Sequence, residues 1–199
     1  MLASISPLGQ RARPGRWWRA AGSFFLAATV AGAAVGALLG AVGELAGLHD
    51  LARRPVGLTL LALAAIAGAA LDLTGRQLGW RRQVDESWLT RYREWVYGIG
   101  YGAQLGVGGV TIISSAATVL AGVFAIALAD PTWSAALGAV FGAARGAQLG
   151  VVARVRTPAD LGRVMSRFDA ARAPARRVAI SAQLATAIAT AGVALAGLR

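Results

Sequence analysis

The sequence predicts an all-α, polytopic membrane helix bundle with about five transmembrane helices, flanked by cytoplasmic interfacial amphipathic helices. Three observations carry that expectation. Of 199 residues, 56% are hydrophobic and only 15% charged, where an average soluble domain is about a quarter charged. Apolar runs long enough to cross a bilayer recur along the whole length and leave no stretch for a separate soluble domain. All twenty basic residues are Arg, and all but Arg145 lie outside those runs.

Residues 1–20 are basic and proline-containing, with Arg11, Arg13, Arg16 and Arg19 beside Pro7 and Pro14. They read as a disordered cytoplasmic tail, ending in Trp17 and Trp18, which suit a membrane interface. The first span covers residues 21–46. Its length, about twice that of a signal-peptide apolar region, favours a retained helix over a cleaved leader. The second span covers 56–73, with Pro55 placed for a first helical turn.

Between 80 and 97, Trp80, Val84, Trp88, Tyr92 and Trp95 recur every three or four positions among charged residues. That spacing predicts an amphipathic helix lying in the headgroup region. The third span, 99–129, carries no charge. As one helix it would rise about 46 Å across a hydrocarbon core of about 30 Å. Either it tilts strongly, or its glycine-rich start is bent or interfacial, and the run of glycines from Gly98 to Gly109 suits a bend. Asp130-Pro131 is the turn that ends it.

The fourth span covers 133–153. Residues 154–177 are basic, and Leu161, Val164, Met165 and Phe168 mark a short interfacial helix over about 159–170. The fifth span covers 178–198. With a cytoplasmic N-terminus, the inner segments hold four, five and seven arginines, against three outside. This positive-inside bias predicts an inner (plasma) membrane protein with its C-terminus outside.

Two internal repetitions stand out. The six residues Gly102–Val107 recur letter for letter at Gly146–Val151. Span one, a loop with Asp50-Leu51-Ala52-Arg53, and span two resemble span four, a loop with Asp160-Leu161-Gly162-Arg163, and span five. An inverted repeat gives this arrangement; so does chance in a chain this rich in Ala and Gly.

The polar groups inside the spans are the candidate site. Gln104, Gly108, Thr111, Ser115 and Thr118 form one helical stripe in span three. Arg145 and Gln148 lie on such a stripe in span four, and Gln183 in span five. Gln104, Gln148 and Gln183 each lie about 8 Å from the inner edge of their spans, with Arg145 one turn deeper, Asp72 near the inner end of span two, and Tyr101 close by. A membrane-central Arg costs about 2.5–3.5 kcal/mol and usually has a partner or a cavity. Asp72 is the expected partner, with Glu44 the other acid in reach. The alternative is that Arg145 snorkels to headgroups. The glycines spaced by four, Gly98-Gly102-Gly106 and Gly142-Gly146-Gly150, read first as faces for close helix packing.

No hydrolase, kinase or zincin motif is present, so no enzyme activity and no catalytic residues are expected. The absence of cysteine and the single His49 exclude disulfides, thiolate centres and His-rich metal sites, and no cofactor or metal is expected. The net charge of +11 serves orientation in the membrane rather than nucleic-acid binding. Two functions fit. One is a carrier or exporter with a polar site open to the cytoplasm, built from Arg145, Gln104, Gln148, Gln183, Asp72, Tyr101, Thr111 and Ser115. Its solute would be small and anionic or carboxylated, and five helices favour a homodimer. The other is a non-catalytic membrane subunit or scaffold that docks helices of a partner membrane protein or anionic lipid.

Overall fold

The computed structural model describes residues 6–9, 17–49, 54–75, 92–108 and 115–197. These form six α-helices: α1 (Trp17–Leu45), α2 (Pro55–Leu73), α3 (Glu94–Val107), α4 (Ala117–Leu128), α5 (Pro131–Ala147) and α6 (Pro158–Ala196). A 3₁₀ segment, Gln148–Val152, continues α5. No strand occurs among the described residues. Four of the helices, α1, α2, α5 with its 3₁₀ continuation, and α6, are long and apolar enough to cross a membrane; α4 is a shorter apolar helix.

The first group of helices is α1, α3 and α5. Small residues at every fourth position of α1 put its backbone against both neighbours. A Cβ on Gly32 would strike the carbonyl of Gly138, and one on Gly36 the carbonyl of Ser134. On α3, Gly98 abuts Ala20 and Ser23, Gly102 abuts Phe24, and Gly106 abuts Ala28, in a parallel register of four. On α5, Gly142 abuts Ala28 and Gly146 abuts Phe25, so α5 runs antiparallel to α1. The glycine Cα–H groups thus face carbonyl oxygens, the close approach that makes small-residue faces associate in lipid. Both copies of the six-residue repeat grip the same turn of α1 from two sides. The copies differ at their last glycine: Gly106 is packed, whereas Gly150 has open space around its Cα.

The second group is α2 and α6, also antiparallel: Gly68 meets Gln183 at one level, and Gly197 lies near Pro55 at another. α4 packs on both groups. Leu120 joins Ala65 of α2 and Ala187 of α6 in one apolar cluster, while Ile126 and Ala129 receive Gly43 of α1.

The long third span is broken. α3 ends at Gly108, whose φ of 75° an L side chain rarely adopts. Helical geometry resumes at Ala117, after residues 109–114, which are outside the described set. Both pieces follow α1 in the same direction, α3 along Ala20–Ala28 and α4 along Leu39–Gly43. At 14 and 12 residues they rise only about 21 and 18 Å, so neither crosses the bilayer core alone. The turn that follows is as expected: Ala129 is left-handed, and the Asp130 side chain accepts from the N–H groups of Thr132 and Trp133 at 2.8 and 3.1 Å.

Two expectations are corrected, and a third falls largely outside the described residues. The interfacial helix over 159–170 is not separate from span five. Both belong to α6, 39 residues long, which starts from a Thr157–Asp160 capping box and continues through Pro174. Residues 6–9 are not a free tail: Ser6 is buried, and Leu8 donates its N–H to the Val155 carbonyl at 3.0 Å. The amphipathic stretch 80–97 lies outside the described residues up to 91, and from Glu94 it belongs to α3. There Glu94 pairs with Arg19 at 3.8 Å.

Candidate functional site

The break between α3 and α4 creates a polar joint. A helix start leaves backbone N–H groups without intrahelical partners and carries partial positive charge. Ser115 answers part of that need locally: its hydroxyl oxygen accepts from Ala117 N–H at 3.1 Å. The rest comes from another helix. Asp72, the penultimate residue of α2, is 5% exposed. Its Oδ1 accepts from Ala116 N–H at 2.7 Å, and its Oδ2 accepts from the Ser115 hydroxyl at 2.6 Å. Gln183 of α6, 2% exposed, donates through Nε2 to the same Oδ2 at 2.7 Å. One carboxylate therefore ties α2, α4 and α6 together.

The joint is not fully satisfied. Gln183 Oε1 is buried and has no hydrogen-bond partner among the described residues. It lies beside Gly68, where an added Cβ would sit 3.0 Å from that oxygen. Gly68 thus provides the room in which the amide stands. Among the described residues, the charged side chain near this end of α2 is Arg176 of α6, whose Nη1 reaches toward Gly75.

Asp72, Ser115 and Gln183 are brought together; the other expected site residues are not part of their joint. Arg145 is half-buried on α5, with its guanidinium carbon 5.4 Å from the centre of the Phe141 ring. Asp72 instead bonds to Ser115, Ala116 and Gln183, and the expected Asp72–Arg145 ion pair is not formed among the described residues. Glu44 is exposed at the opposite end of α1 from the Phe25 turn beside which Arg145 stands. Gln104 is half-buried on α3, and Gln148 is exposed where α5 gives way to its 3₁₀ segment. Tyr101 is buried in an apolar cluster with Tyr97, Phe24, Leu149 and Val152. Thr111 lies outside the described residues. The stripe expected to run from Gln104 to Thr118 is interrupted because it needs one continuous helix, and Gly108 ends that helix.

Beside the break lies a cavity of about 240 Å³ between α1, α3, α4 and α5. Its walls include Gly32, Gly36, Val107, Leu137 and Phe141, with Thr118 contributing a hydroxyl. Arg145 is not one of its lining residues but contacts the ring of Phe141, which is. A separate, polar cleft of about 540 Å³ is lined by Arg154, Arg163, Arg167 and Asp160 at the 3₁₀ segment and the start of α6. Among the described residues no group of His, Cys, Asp and Glu could hold a metal ion.

Reasoning from sequence missed the Ala116 N–H as a partner for Asp72, because a main-chain donor has no letter of its own. It also missed the α1 seam, although Ala20, Phe24, Ala28, Gly32, Gly36 and Gly40 carry a plain period of four. No protein-family model, curated protein or solved structure matches the chain. What its own helices establish is an all-helical, apolar bundle of membrane character, organised around a span interrupted in mid-course.

Proposed function

We propose that the chain is a small carrier or exporter of the inner membrane, with its N-terminus cytoplasmic and its C-terminus outside. The observation that carries this reading is the broken traversal, whose second half begins on a buried carboxylate inside the bundle. Interrupted helices whose half-helix ends face a polar group are the construction by which transporters place a binding site within the bilayer. The antiparallel pairing of α1 with α5 and of α2 with α6 supports it, since two inverted units would pair in that way. The solute is small and anionic or carboxylated. Its apolar body fits the cavity at the break, and Arg145 beside Phe141 supplies the charge that attracts it.

The test is counterflow of radiolabelled small carboxylates in vesicles reconstituted with the purified chain. Uptake is expected in the wild type and lost in Arg145→Ala. Uptake by no member of an aliphatic and aromatic acid panel, or equal uptake in both proteins, would remove the carrier reading.

The second reading is a membrane subunit or scaffold. Its support is the basic cleft of Arg154, Arg163 and Arg167, together with the exposed arginines Arg172, Arg176 and Arg177 of α6, which suit anionic lipid or an acidic partner. Recovery of a stoichiometric partner from native membranes, with no counterflow, decides for it.

A further inference from the structure

An ionisable group within a membrane span is a candidate functional group, and Asp72 carries a second peculiarity. Its partner Gln183 spends its donor on Asp72 and leaves its acceptor, Oε1, buried and unused among the described residues. Native interiors seldom leave such an atom unpaired, and each exception calls for a reason.

The chemistry of the amide supplies one. As an anion, Asp72 can only accept, so it needs Gln183 Nε2. Once protonated on Oδ2, it has a hydroxyl to donate and needs an acceptor. Turning the Gln183 amide by half a revolution presents Oε1 to that hydroxyl and moves Nε2 toward Gly68. The absence of a Cβ at Gly68 leaves the space in which the amide can turn. The same two side chains therefore serve both charge states.

We propose that Asp72 and Gln183 form a proton-binding site at the start of α4. A proton delivered by hydronium adds to Asp72 Oδ2: one O–H bond of hydronium breaks and leaves water, the Oδ2–H bond forms, and that O–H then donates to Gln183 Oε1. The bonds from Ala116 N–H and Ser115 lose their charge assistance, which roughly halves them. The tie between α4 and the α2–α6 pair loosens while the glycine contacts of α1 are untouched. Among the described residues, the charged or titratable side chain near this end of α2 is Arg176 of α6; α4 offers Asp72 only the Ala116 N–H and the Ser115 hydroxyl. If the chain is a carrier, this site is where a proton gradient would couple to transport. That clause rests on the carrier reading, whereas the proton site does not.

The experiment is pH-difference infrared spectroscopy of the full chain in lipid nanodiscs, which needs no solute. The wild type should gain a buried carboxylic-acid carbonyl band on acidification. Asp72→Asn should lose that band, and its amide should donate to Gln183 Oε1 at every pH. In Gln183→Leu the band should persist but move to higher frequency, because the acid has lost its acceptor. The Gln183→Leu arm stands even where Asp72→Asn fails to fold. Absence of the acid band in the wild type, its survival in Asp72→Asn, or an unmoved band in Gln183→Leu would each overturn the proposal. A titrating Asp72 in a protein that shows no counterflow would keep the proton site and sink only the carrier.

Discussion

The two sides of this molecule hold together by opposite means. α1, α3 and α5 meet chiefly through missing side chains, glycines set against the carbonyls of a neighbouring backbone, with the Arg19–Glu94 ion pair at one end. α2, α4 and α6 meet through one side chain too many, a carboxylate that lipid would reject and that three donors retain. The first joint has one state, because packed backbones cannot give without separating. The second depends on charge and donor orientation, which can change without moving the helices far. A bundle built this way has a rigid side and an adjustable side, with α4 between them.

Substitution separates the two kinds of joint. The largest effect is expected on the rigid side. Gly142→Leu would drive a side chain into the Ala28 carbonyl and Thr29, where overpacking costs about 3 kcal/mol or more because backbone cannot yield. Loss of the folded, monodisperse protein in mild detergent checks it. On the adjustable side, Asp72→Ala strands the Ala116 N–H, the Ser115 hydroxyl and Gln183 Nε2. A loss of about 2–3 kcal/mol in detergent-denaturation stability is expected. That is below the glycine substitution, since freed donors in a bundle find other partners.

A double-mutant cycle sharpens the boundary between the sides. Asp72→Asn and Arg145→Gln should be additive to within about 0.5 kcal/mol, because the two groups share no partner. A coupling well above that would mean that the two sides communicate electrostatically after all. The smallest effect tests the repeat itself. Gly106→Ala meets the Ala28 carbonyl, whereas Gly150→Ala, the same letter of the second copy, meets open space. Gly150→Ala should change stability by no more than about 0.5 kcal/mol, read as an unmoved thermal midpoint, and Gly106→Ala should lower that midpoint clearly.

Much of the fold was legible from residues alone. Glycines spaced by four pointed to close packing, and α3 and α5 pack in that way. The charge-free third span was too long to cross upright as one helix, which left a strong tilt, a bent start or an interfacial start open, and the helix ends at Gly108. Asp130-Pro131 ended one helix and capped the next, because an Asx cap and a proline at the first turn act within four residues. The separate interfacial helix at 159–170 was not borne out. It and the following span form one helix that continues through Pro174.

The candidate site was half legible, and the reason is physical. Periodicity places Gln104, Gln148 and Gln183 at similar depth and each on a face, but a helix face does not say which helix it meets. Only Gln183 lies on the helix that packs against α2.

By itself the sequence determined what depends on neighbours within a turn or two: helices, their apolar lengths, their caps and the small-residue seams. The tertiary structure alone decided that Asp72 meets Ser115 and Gln183, which are 43 and 111 residues away along the chain. A hydrogen bond acts over about 3 Å, so partners so remote in sequence are chosen by the packing of whole helices rather than by any local pattern.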